Sequence, residues 1–139
     1  SIAAVERAIE TAKAKGAKRA LPLPVSVPSH CLLMKPAAEK LAEALKAVDI
    51  QPPKIPVIHN ADVASYNNAE QIKDALVRQL YSPVRWTETV NALVAQGIIQ
   101  SAECGPGKVL AGLAKRINKE ASCSALTNTE QVSAFIAAH

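Results

Sequence analysis

The chain has 139 residues, of which 49% are hydrophobic and only 3% aromatic; 16 Lys and Arg stand against 12 Asp and Glu, a formal net charge of +4. That length suffices for one domain with a sizeable core, and the Ala, Val, Leu and Ile that dominate it suit helices packed on a sheet. The excess charge sits early, where Arg7, Lys13, Lys15, Lys18 and Arg19 oppose Glu6 and Glu10; so small a patch without interleaved aromatics excludes a nucleic-acid face and fits an acidic protein partner or a phosphorylated ligand.

In chain order, Ile2, Val5, Ile9 and Ala12 recur at helical spacing and Lys15-Gly16 supplies a stop, predicting a helix over about 3–15. The chain thus opens inside an amphipathic pattern with no initiator Met, as the middle of something longer would. "AKRALPLPVSV" alternates in strand fashion, with two prolines that push it to a sheet edge or an extended crossing segment. From Ser29 to about Val48 the pattern is helical again, with Leu33, Leu41 and Leu45 as buried candidates and Pro36 near the start of its main part. "IPVIHN" reads as a short buried strand, and "NNAEQIKDALVRQLYSP" as a helix capped by Asn67 or Asn68 and ended by Pro83. Thr87 to Gln96 is a helix stopped by Gly97; "IIQSAEC" a strand, "GPG" a tight loop, "KVLAGLAKRI" a helix, "CSALT" a strand, and Glu130 to Ala138 a last helix. This alternation predicts an α/β fold with a mostly parallel sheet.

Three cysteines (Cys31, Cys104, Cys123) with no CxxC spacing point to neither a disulfide framework nor a zinc site, and a reducing cytoplasm is the simplest setting. No apolar run approaches the ~20 residues of a membrane span, and the residues after Ser1 do not read as a signal peptide. His59 and His139 have no neighbours that suggest metal ligation. "GPGKVL" fails the spacing of a phosphate-binding P-loop and reads as a stiff turn.

His30, in "VSVPSHC", falls at what the pattern makes the first turn of a helix with Ser29 as N-cap. It is either a partly exposed helix-starting residue or a base kept neutral by the helix dipole. Cys31 lies about 100° round the same helix, badly placed to share a proton with it, and reads as a buried small residue. No serine occupies a strand-turn-helix elbow; Ser101, for one, falls in a predicted strand.

"GAKRALPLPVSVPSHCLLMKPAAEKLAEAL", "DALVRQLYSPVRWTETV" and "ECGPGKVLAGLAKRI" together closely resemble the C-terminal half of bacterial malonyl-CoA:acyl-carrier-protein transacylases. The resemblance runs over nearly the whole chain. It implies residues 1–25 as the end of a small ferredoxin-like insert subdomain and 26–139 as the C-terminal part of a large α/β-hydrolase-like acyltransferase subdomain. It implies His30 as general base, oriented by the backbone carbonyl of Gln79, with Ser29 in the substrate pocket. Gln79 also sits where a helix ended by Pro83 leaves carbonyls without intrahelical partners.

The implied reaction is ping-pong transfer of malonyl from CoA to the phosphopantetheine thiol of acyl carrier protein, without a cofactor or metal. Lys18 and Arg19 would meet the acidic carrier protein, although solvated loop charges read equally well. The nucleophilic serine, the carboxylate-binding arginine and the oxyanion-hole glutamine would belong to the N-terminal half, so the chain alone should be inactive. Cys104 departs from the apolar or small residue usual before "GPG". The rivals are a polyketide acyltransferase with another acyl preference and a non-catalytic fragment that only binds the carrier protein.

Overall fold

The computed structural model describes residues 1–138; His139 lies outside the described residues. Among the described residues there are six α-helices: α1 (Ile2–Ala14), α2 (Lys35–Lys46), α3 (Ala69–Arg78), α4 (Trp86–Ala95), α5 (Val109–Ile117) and α6 (Thr129–Ala137). Four strands accompany them: β1 (Ile58–His59), β2 (Ala64–Ser65), β3 (Gln100–Cys104) and β4 (Ser122–Leu126).

The helix ends follow the local chemistry. Past α1, Gly16 takes φ 91, and Gly16 and Ala17 donate back to the carbonyls of Lys13 and Ala12 at 2.9 and 3.0 Å, the pattern glycine permits at a helix end. The Asn68 side chain caps α3 by accepting from the Glu70 and Gln71 N–H groups at 2.9 and 3.3 Å, and Asn128 does the same for α6 through Gln131. Gly97, at φ 81, ends α4.

Three expectations hold only in part. Residues 17–28 join no strand ladder, which removes the sheet edge and leaves the crossing segment of the two expected arrangements; Val25 and Ser29 donate to Leu23 and Val27 two residues back, at 2.8 Å each, tight bends in a segment whose three prolines lack ladder donors. The main helix has Pro36 in its first turn as expected, α2 following a short 3-10 turn at Leu32–Met34; only Ser29 to Cys31 fall outside the helical stretch. Leu45 is buried, but Leu33 is 74% exposed.

The sheet is also not one mostly parallel layer. β3 and β4 pair in parallel, Gln100 opposite Ser122 through Cys104 opposite Leu126, whereas β1 and β2 form a separate antiparallel hairpin. Of "IPVIHN" only Ile58 and His59 pair; Ile55 and Val57 are exposed.

Two packing centres result. Val90, Ala114 and Ala121 form a cluster between α4, α5 and the sheet, with Trp86, Val94, Ile117 and Cys123 against it. α2 packs on α3, where Ala38, Leu45, Ile72 and Ala75 are buried. α1 buries none of its residues. Its apolar stripe and the extended segment line an open groove of about 810 Å³ that includes Ile2, Val5, Leu21, Leu23 and Val25.

Candidate functional site

The site forms where the "VPSH" segment meets the end of α3. Gln79 is the C-cap of α3, so its carbonyl is among those a helix leaves unpaired. The residue that would donate to it in a continuing helix is Pro83, which has no N–H. His30 takes the position instead: its ring Nδ1 lies 3.0 Å from the Gln79 carbonyl oxygen, and its backbone N–H donates to the next carbonyl, Leu80, at 2.9 Å.

Because a carbonyl only accepts, the neutral ring carries its proton on Nδ1 and keeps the lone pair on Nε2. His30 is exposed, and Nε2 has no partner among the described residues, so a base faces outward with its tautomer set from behind.

His30 is not in the first turn of a helix. Its φ is 62, the left-handed region uncommon for a residue with a side chain, and α2 begins only at Lys35. Neutrality conferred by a helix N-terminus therefore has no basis here. Its two hydrogen bonds onto consecutive carbonyls hold the unfavourable backbone conformation. The residue lies at the carbonyl end of α3.

Ser29 is exposed, and it caps no helix: the N-caps of the 3-10 turn and of α2 are Cys31 and Met34. Cys31 is half-buried and donates its thiol to the Pro28 carbonyl at 3.1 Å, not to His30. Lys18 and Arg19 are exposed on the connection after α1 and make no ion pair among the described residues. Lys35 stands 5.8 Å over the Tyr81 ring, a cation–π tie between the start of α2 and the chain beyond α3.

The "GPGKVL" turn is occupied by the protein itself. Glu103, from β3, accepts the Ala111 N–H in the first turn of α5 at 2.8 Å, supplying the negative charge that a helix N-terminus favours. Among the described residues no group of His, Cys, Asp and Glu is arranged to hold a metal ion. No helix there is long and apolar enough to cross a membrane.

Sequence reading missed a polar cluster beside the site. Arg78 donates through Nη1 and Nη2 to Asp62 in the β1–β2 turn, the second bond at 2.9 Å, and through Nε to Asp74 at 2.7 Å. The guanidinium holds the Asp62 carboxyl below its usual range against the opposing effect of burial, and the carboxylates push the arginine up in turn. Asp62 lies in the turn of a hairpin that the periodicity did not reveal, 16 residues before Arg78, so no short motif could flag the pair.

No protein-family model matches the chain. The malonyl CoA-acyl carrier protein transacylase of Escherichia coli K12 is 56% identical over 133 residues, 96% of this chain and 43% of that relative. Over nearly its whole length the chain matches malonyl CoA-acyl carrier protein transacylases. It spans less than half the length of the curated transacylases it matches.

Among solved transacylase structures, a malonyl-transacylase in complex with a type II polyketide synthase acyl carrier protein superposes with a TM-score of 0.92 at 54% identity, covering 98% of this chain and 44% of that one. An acyl carrier protein S-malonyltransferase from Vibrio cholerae gives 0.86 at 56%, covering 95% and 43%. The mixed α/β architecture is thus that of the transacylases over the matched part.

Proposed function

We propose that this chain supplies the general base of a malonyl-CoA:acyl-carrier-protein transacylase, with His30 as the base and the Gln79 backbone carbonyl as the group that orients it. The observation that carries the reading is the 3.0 Å contact of His30 Nδ1 with Gln79 O, which leaves Nε2 unpartnered and outward. In the reaction, Nε2 accepts the proton of a nucleophilic serine hydroxyl as the serine oxygen attacks the malonyl thioester carbon and the carbon–sulfur bond to CoA breaks. The proton then passes to the departing CoA sulfur. In the second half-reaction Nε2 takes a proton from the phosphopantetheine thiol, the thiolate removes malonyl, and the proton returns to serine. A positive charge forming on the ring is supported by the carbonyl bonded to Nδ1.

The serine, the carboxylate-binding arginine and the oxyanion donors belong in this reading to a part of the enzyme outside these residues, and the chain alone is inactive. The exposed apolar stripe of α1 and segment 21–28 is where that part packs, with residues 1–25 closing a small ferredoxin-like subdomain and 26–139 belonging to a large hydrolase-like one. Ser29 borders the acyl group, and Lys18 and Arg19 dock the acidic carrier protein in the cytoplasm. Neither step calls for a cofactor.

The test is steady-state transfer of malonyl from CoA to carrier protein by full-length enzyme carrying His30→Ala. A fall of about 10²–10⁴-fold, the usual worth of a positioned base, is expected; wild-type transfer would overturn the assignment. A second reading, service to a polyketide carrier protein, is favoured by the solved complex of the transacylase neighbour with such a partner. Competition between fatty-acid and polyketide carrier proteins separates the two.

A further inference from the structure

The turns that follow α3 are held weakly by their own backbone. Leu80 and Tyr81 donate to Val77 and Arg78 at 3.3 and 3.2 Å, and Pro83 contributes no donor. Yet this stretch presents the two carbonyls on which His30 rests. Something else has to fix their direction.

Arg78, the residue before Gln79, provides a tie on the other side. Its guanidinium bonds both oxygens of Asp62 while Nε serves Asp74, one turn earlier in α3. Asp62 also receives the Tyr66 hydroxyl at 3.2 Å, and its backbone carbonyl accepts from Arg85 Nη1 at 3.4 Å. The backbone N–H of Arg85 donates to Asn60 O at 2.9 Å. The β1–β2 turn therefore grips the chain at 78 and again at 85, on either side of the stretch that carries the Gln79 and Leu80 carbonyls.

We propose that the Asp62–Arg78 pair is a positioning clamp for the site: by fixing the end of α3 against the β1–β2 turn, it holds the Gln79 carbonyl that sets the tautomer and direction of the His30 ring. Its importance for transfer rests on His30 being the base. Exposed ion pairs usually contribute little, but this one is bidentate and the Asp62 side chain is only 14% exposed. A guanidinium is needed because its planar fork serves two carboxylates at once, which an ammonium does not do with the same geometry.

The clamp is tested on the full-length enzyme, labelled with ¹⁵N, by two-dimensional nuclear magnetic resonance of the neutral His30 ring. The wild-type ring is expected to be mainly the Nδ1–H tautomer. In Asp62→Ala the ratio of Nδ1–H to Nε2–H should fall about five- to tenfold, the population equivalent of one hydrogen bond of ordinary net strength, with β3–β4 amide signals unchanged. Glu43→Ala, which breaks the exposed Glu43–Lys46 pair on α2, should leave the ratio alone.

Arg78→Lys keeps the charge but loses the fork, and should give an intermediate ratio; it replaces Asp62→Ala if that variant does not fold. A folded Asp62→Ala or Arg78→Lys chain with the wild-type ratio, or an equal loss in Glu43→Ala, overturns the clamp. This readout does not depend on catalysis, so failure of His30 as base would show only in the transfer assay.

Discussion

Replacing His30 by Asn, Gly and Ala separates the two forces at this residue. At φ 62 any residue with an ordinary side chain carries a left-handed conformational cost of about 1–2 kcal/mol, while the Nδ1 bond to Gln79 O contributes a net of about 0.5–1.5 kcal/mol. His30→Ala removes the bond and keeps the cost, so it should destabilise by about 1 kcal/mol. His30→Gly also loses the bond but relieves the cost, offset by about 0.5–1 kcal/mol of added freedom in the unfolded chain, and should lie at or slightly above Ala. Asn tolerates the left-handed region and retains a side-chain donor, so it should be the most stable of the three. Urea titration followed by circular dichroism measures the series at constant slope. A ranking with Ala as the most stable would refute the reasoning, since it would mean that neither the backbone conformation nor the hydrogen bond is present.

Two more outcomes follow from the same contacts. Pro83→Ala restores a backbone N–H at the position that would bond Gln79 O in a longer α3; competition for that oxygen should loosen His30, seen as faster hydrogen exchange at the His30 backbone N–H, and unchanged exchange would count against it. The lowered pKa of Asp62 means that its contribution is complete above the unfolded value of about 3.9 and is lost as pH falls through the still lower folded value. Discounted for partial exposure, that contribution is about 1 kcal/mol. As the pH falls below the unfolded value, the wild type should therefore lose more stability than Asp62→Asn, and parallel acid limbs would contradict the pair.

The helices were legible because their signals are local. Asn68, Gly16, Gly97 and Pro83 act within a few residues, and each lies where the sequence placed a boundary. The His30–Gln79 pairing was legible for a different reason: a proline four residues past Gln79 leaves a carbonyl free, and the family resemblance named its histidine. Segment 17–28 was legible only as a choice between a sheet edge and a crossing segment, because alternation records which side chains are apolar, not whether a neighbouring strand exists to accept the backbone, and among the described residues none pairs with it. The backbone of His30 was illegible because its left-handed turn is imposed by two carbonyls 49 and 50 residues away in the chain. Asp62 and Arg78 escaped notice for the same reason, since a two-residue hairpin carries too short a pattern to show which carboxylate faces which arginine.

The central claim is that His30 takes the proton when the serine is acylated. Rapid-mixing measurement of the first half-reaction, malonyl-CoA with full-length enzyme and no carrier protein, tests it most directly. His30→Ala should slow formation of the malonyl-enzyme by about 10²–10⁴-fold while the protein remains folded. Acylation of that variant at the wild-type rate would contradict it.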